Sequence, residues 1–151
     1  MIDLLDAEQP IIDRLKAQVT GITGLTVAST ASIVGSLPDA LMHKLPALLV
    51  QPGAGTVAAY AGNGQAAAED GEWIVVAVVK LIPDVVNLSK TYQAAAGALI
   101  GKTLEALAGW APSPNYRPMK YVSRDEPEFW PGYVEFPLHF TTRRVFTGTG
   151  G

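Results

Sequence analysis

Apolar positions near the start of the chain recur with a helical period. Ile11, Ile12, Leu15 and Val19 fall at i, i+1, i+4 and i+8, and Pro10 suits a first helical turn, where a backbone N–H has no partner to lose. The pattern predicts a helix over residues 7 to 20, stopped by Gly21 and Gly24. The β-branched run LTVAST, residues 25 to 30, predicts a short strand. SLPDALMHKLP is bracketed by Pro38 and Pro46, which leaves space for at most two helical turns. Residues 47 to 51 then read as a second strand.

The pattern fades over residues 51 to 72, QPGAGTVAAYAGNGQAAAEDGE. Five Gly and seven Ala leave Val57 and Tyr60 as its only larger apolar side chains. Ordering a residue costs on the order of 1–2 kcal/mol, and this stretch has little to bury against that cost. It is expected to be a long mobile loop or an extended hairpin, and at this length it is the first candidate for function.

WIVVAVVK, residues 73 to 80, is apolar on both faces, as in a central strand covered on each side. Pro83 breaks it, and Asn87 or Ser89 suits the cap of the next helix. Tyr92, Ala95, Ala96, Leu99, Thr103, Ala106, Leu107 and Trp110 hold the 3.6 period over five turns. Residues 95 to 98 are small enough for this helix to lie flat on a sheet or against a neighbouring subunit.

Residues 119 to 125, MKYVSRD, predict a further strand. In the last one Val134, Phe136, Leu138 and Phe140 alternate with Tyr133, Glu135, Pro137, His139 and Thr141, giving one core face and one wet or contacted face. Pro137 cannot donate to a ladder, so its strand is expected at an edge or with a bulge, and an open edge is a docking surface. The tail TGTGG, residues 147 to 151, has nothing to bury and is expected to be mobile.

EPEFWPGYVEFPLHF places Glu126 and Glu128 either side of Pro127. Two carboxylates on one side are able to share a proton or a divalent cation. No third acidic or histidine ligand falls at a completing distance, and Pro131-Gly132 is a strong turn signal. The favoured reading is a hairpin connection with Phe129 and Trp130 as packing or interface anchors. Nothing in the sequence pairs His139 or His43 with the orienting partner and nucleophile that a catalytic base requires, so neither is expected to be catalytic or to bind metal. Arg143 and Arg144 close the last strand. They are read as solvated, with ion pairs to Asp70, Glu72 or Glu126 of an adjacent subunit as the alternative. Trp73 and Trp110 lie on apolar stripes and are expected in the core.

Composition narrows the function classes. No cysteine is present, which excludes disulfides, thiolate metal sites and a cysteine nucleophile. Lys and Arg number 11 against 14 Asp and Glu without a run of like charge, so a nucleic-acid-binding face is not expected. Charged residues make up 17%, against about 25% in ordinary soluble domains, which suits a surface that meets partners. The first residues lack the basic start of a signal peptide, and no apolar run approaches the ~20 residues of a membrane helix. No G-x-S-x-G, H-E-x-x-H, P-loop or G-x-G-x-x-G occurs, and no cofactor or metal is expected. The chain is expected to be a single α+β domain over residues 1 to 151.

The order helix, strand, LPALLV, small-residue stretch, WIVVAV, Ala-rich helix ending in LAGW, then YRPM and PEFWPGYVEFPLHF, resembles the Mu-like branch of phage tail terminator proteins. It is also similar in layout to the lambda-type terminators. The likeness runs from about residue 7 to residue 143, on packing residues rather than a catalytic signature. It implies a mixed, mainly antiparallel sheet with two main helices packed on it. It also implies a non-enzymatic ring of six that caps the tail tube, stops its polymerisation and meets the head-completion or neck proteins. On this reading DNA passes through the lumen without specific binding, and the protein is assembled in the host cytoplasm and resides at the head-proximal end of the tail. Val57, Tyr60, Glu126, Glu128, Phe129, Trp130, Pro137, Arg143 and Arg144 are the residues expected at subunit or tail-partner contacts. The alternatives are another neck or tail-completion protein, or a small ligand-binding or hydrolytic domain using Glu126, Glu128 and His139.

Overall fold

The computed structural model describes residues 2–34, 43–81 and 88–148. Helix α1 (Glu8–Gln18) opens without a side-chain cap, and its charges match the helix dipole, with Glu8 in the first turn and Lys16 in the last. Its buried stripe is Ile11, Ile12 and Leu15, the helical face read from the sequence. Strand β1 (Thr26–Ser29) and the five-residue helix α2 (Thr30–Val34) follow. Strands β2 (Ala47–Ala61) and β3 (Ala66–Lys80) form a long hairpin, and α3 (Leu88–Leu107) crosses the sheet. Strands β4 (Lys120–Arg124), β5 (Glu128–Trp130) and β6 (Tyr133–Thr147) complete the chain.

The six strands make one mixed sheet in the order β1-β2-β3-β6-β4, with β5 also on β6. Only β1 and β2 are parallel. β3 is central and pairs with β6 along its whole length, from Ala66↔Thr147 to Lys80↔Tyr133. Its alternation serves two cores, as its two-sided apolar pattern predicts. Trp73, Val75, Ala77 and Val79 enter the main core beneath α1 and α3, with Leu48, Val50, Leu99, Leu107, Leu138 and Phe140. Val78 joins Ile33, Leu45, Ala47 and Leu49 in a smaller cluster on the other face. Trp110 is half-buried against the main core, where the Arg14 guanidinium lies 5.5 Å from its ring centroid.

Four expectations change in three dimensions. Of the two readings of residues 51 to 72 the mobile loop fails and the extended hairpin holds, as the two arms of β2–β3, because β6 supplies the third strand that an isolated hairpin lacks. α3 ends at Leu107 rather than Trp110, since Gly109 takes a φ of 80° and its N–H bonds the Met119 carbonyl at 2.9 Å. Pro137 does not mark an edge, because β6 lies between β3 and β4. Its missing N–H faces the break between β4 and β5, where its carbonyl accepts from the Asp125 N–H at 3.1 Å, and the bulge falls in β4 between Tyr121 and Ser123. Thr147 belongs to β6, and the Gly148 N–H donates to the Gln65 carbonyl at 2.6 Å. Ser89 lies inside α3. The helical turns expected over residues 36 to 46 fall largely, and the Pro83 break and Asn87 cap fall wholly, outside the described residues.

Candidate assembly surface

The hairpin reaches beyond the helices. Its turn needs three successive residues with positive φ, and Gly62, Asn63 and Gly64 supply them at 60°, 60° and 85°. β1 pairs only with residues 47 to 50 of β2, so the outer side of residues 51 to 61 has no partner among the described residues. β2 carries no charged residue. Pro52 and two bulges interrupt this edge, but the Lys or Glu that commonly guards an open strand is missing. Tyr60 is 71% exposed and Val57 46%, so the two large apolar groups of this stretch are not used by the monomer.

Glycine also shapes this edge from behind. A Cβ at Gly53 would stand 2.9 Å from the Glu72 side chain, and one at Gly55 would stand 2.6 Å from the Glu69 carboxylate. The Glu69 carboxylate therefore lies over β2 where Gly55 has no side chain, while the Glu72 stem passes Gly53 and its carboxylate turns to His139 of β6.

A second exposed group lies at the opposite end of β6. Phe129 packs edge to face on Tyr92 with ring centroids 5.7 Å apart, and Trp130 stacks on Tyr133 at 6.2 Å. Despite these contacts Phe129 stays 55% exposed and Trp130 43%. Glu128 stands directly opposite Glu135 in the ladder. Burial, then the Glu128 charge, push the Glu135 carboxyl above its ordinary range, and a hydrogen bond from Trp130 opposes the rise. Glu126 is exposed in the connection between β4 and β5.

Ionic contacts tie β6 to distant segments. His139 lies between two carboxylates, its Nδ1 against Glu72 and its Nε2 2.8 Å from Asp125. Hydrogen bonding to Asp125, then to Glu72, raises its pKa, so the imidazolium is favoured. With both ring nitrogens engaged by acids, this histidine is a clasp rather than a general base. Arg143 makes a two-point contact with Asp70 at 2.8 and 3.1 Å, and that contact holds Asp70 below the ordinary carboxylate range. Arg144 is buried, 2.5 Å from Asp6, with its guanidinium 5.2 Å from the Tyr116 ring centroid. Burial, then the bond to Asp6, push the Tyr116 hydroxyl up to about 12.

The expected contact residues thus separate into groups. Val57 and Tyr60 lie on the hairpin arm, with Arg143 and Arg144 on the neighbouring stretch of β6. Glu126, Glu128, Phe129 and Trp130 lie some ten residues of strand away, roughly 30 Å. Pro137 lies between them. Arg143 is exposed, as the solvated reading has it, whereas Arg144 is buried, and both find their carboxylates, Asp70 and Asp6, within the chain rather than on an adjacent subunit. Glu126 and Glu128 do not join His139, and no group of three or more potential metal ligands forms among the described residues. Sequence reasoning missed the Glu72 and Asp125 contacts of His139. Their separations of 67 and 14 residues carry no local signal, and only the β3–β6 register brings Glu72 within reach.

A small α+β subunit with a closed core and exposed apolar groups at both ends of its longest strand pair is built for contact with other proteins. The family model for phage tail terminator protein matches residues 1–149, and the chain belongs to that family. It is therefore a structural protein of the phage tail. Among solved structures it is similar to a chain of the virion of a native gene transfer agent particle, at 15% identity and a TM-score of 0.57, covering 92% of this chain and 94% of that one. That likeness shows a shared fold. No curated protein matches the sequence.

Proposed function

We propose that this protein ends the tail tube: about six copies close into a ring that caps the last tube ring, stops polymerisation and offers its other side to head-completion or neck proteins. The family match along nearly the whole chain carries this reading. Two separate exposed regions, the β2–β3 arm and the Phe129–Trp130 corner, give one subunit surfaces for more than one neighbour. Heterologous contacts close into a ring when the rotation per copy divides a full turn. A net charge of -3 suits a lumen that lets DNA pass without holding it. The ring would sit at the head-proximal end of the virion tail after assembly in the host cytoplasm.

Electron microscopy of the concentrated protein, alone and with assembled tail tubes, tests the proposal. Rings, or a cap on one tube end, are expected. Single subunits that ignore tubes at every concentration would overturn it.

A further inference from the structure

The geometry points to one particular joint between copies: β4 of one subunit pairs antiparallel with the open stretch of β2 of the next. This inference rests on the ring reading above and adds which strands meet and in what register.

Direction follows from the sheet. β2 is antiparallel to β3, β3 to β6 and β6 to β4, so β4 runs opposite to β2. A second copy that continues the sheet in the same sense therefore presents β4 antiparallel to β2. Both strands are available for this. β4 is exposed along its length, and β2 lacks an outer partner beyond residue 50 among the described residues.

Register follows from two constraints. Within one subunit Arg124 stands level with Leu138, Val75 and Val50, and Val50 is already paired with Ser29 of β1. An incoming β4 must slide toward the hairpin turn to clear β1. Pleating then requires residues that meet to share a face. Arg124 and Tyr121 lie on the helix side, opposite Leu138 and Phe140, whereas Ser123 lies on the open side, opposite His139. In β2 the helix-side positions include Gly55 and Val57, with Thr56 on the open side.

The register that sets Arg124 beside Gly55 satisfies all of this. It places Ser123 beside Thr56 and, across the β4 bulge, Tyr121 beside Val57. At Gly55 the Glu69 carboxylate of β3 reaches over β2 toward the open edge, through space that any side chain would fill. Glu69 and Arg124 each pair with no opposite charge among the described residues. Tyr121 and Val57 are both exposed apolar groups in the free subunit. One register thus joins two unpaired opposite charges and covers two exposed apolar side chains, a complementarity that β2 against β2 or β4 against β4 does not offer. The slide of about five residues, roughly 15 Å, is the kind of stagger that closing a sheet on itself demands.

The absence of cysteine gives a test without background. Chains carrying Thr56→Cys and chains carrying Ser123→Cys are mixed under assembly conditions and oxidised mildly. Disulfide-linked pairs are expected only in the mixture, and the double variant is expected to give a ladder of linked copies. In parallel, Arg124→Glu is expected to raise the concentration needed for assembly by about tenfold or more, with Glu69→Arg in the same chain restoring it. Rings in the micrographs without mixed disulfides would overturn this joint and leave the terminator reading standing. Linkage of Thr56→Cys chains to one another would replace it with a symmetric contact. Failure of the unaltered protein to form rings or caps would overturn both.

Discussion

The two ends of the β3–β6 ladder are built differently. Where Trp73 faces Phe140 the ladder lies beneath α1 and α3, and both side chains are buried. Toward the hairpin turn Ala67 and Ala68 face Phe146 and Val145, and although the two alanines are buried, Val145 is exposed, as are Val57 and Tyr60 of the adjoining β2. Hydrogen bonding continues unbroken through both halves, so backbone pairing does not separate them. The difference is that one half buries its large apolar side chains while the other leaves Val57, Tyr60 and Val145 exposed, the feature on which the proposed assembly contact rests.

Truncation should expose this contrast most strongly. Trp73→Ala is expected to lower stability by about 3–5 kcal/mol in urea denaturation, through lost burial and the cavity left behind. Tyr60→Ala should change it by no more than about 0.5 kcal/mol while impairing ring or cap formation in micrographs. Equal losses for the two variants would erase the distinction between the halves.

Next in size is Arg144, the buried charged residue that joins β6 to Asp6 and Tyr116. Arg144→Ala leaves Tyr116 and Asp6 without their cation and should cost about 2 kcal/mol. That is below the 3–5 kcal/mol of a fully buried pair, because the Asp6 carboxyl is partly solvated. The same denaturation measurement checks it. Gly64→Val, at a φ of 85°, should cost about 1–2 kcal/mol through left-handed backbone strain. Hydrogen exchange should show that loss mainly at the hairpin end, with the helix-backed strands little changed.

The smallest expected effect is the pH response of the His139 clasp. Its pKa is raised in the folded chain, so its contribution is complete below the unfolded value of about 6.5 and is lost as pH rises through the folded pKa. Urea midpoints of the unaltered protein and of His139→Gln should therefore converge above that range and differ below it, by up to about 1 kcal/mol. A difference that grew with pH would contradict the clasp.

Local pattern was enough to locate α1, most of α3, the central strand and the alternating last strand, because each has its own hydrophobic period. It also singled out Val57 and Tyr60 as the large apolar groups of a stretch with little else to bury, and Phe129 and Trp130 as anchors of a hairpin connection. It left residues 51 to 72 open between loop and hairpin, since nothing in GAGTVAAYAGNG reports that residues 142 to 147 lie alongside. It also misplaced Pro137, because a strand interior on one side tolerates a proline where the neighbour on the other side breaks between β4 and β5.

What the sequence by itself determined is therefore α1, most of α3, the central and last strands, the absence of cysteine chemistry and the family layout, all carried by side chains close together in the chain. Tertiary structure alone decided which charges meet. Asp6 and Arg144 are 138 residues apart, and Glu72 and His139 are 67 apart. It also decided which edge stays open, because a strand's free side is defined by what lies next to it in the sheet, and strand order is a property of the packed whole.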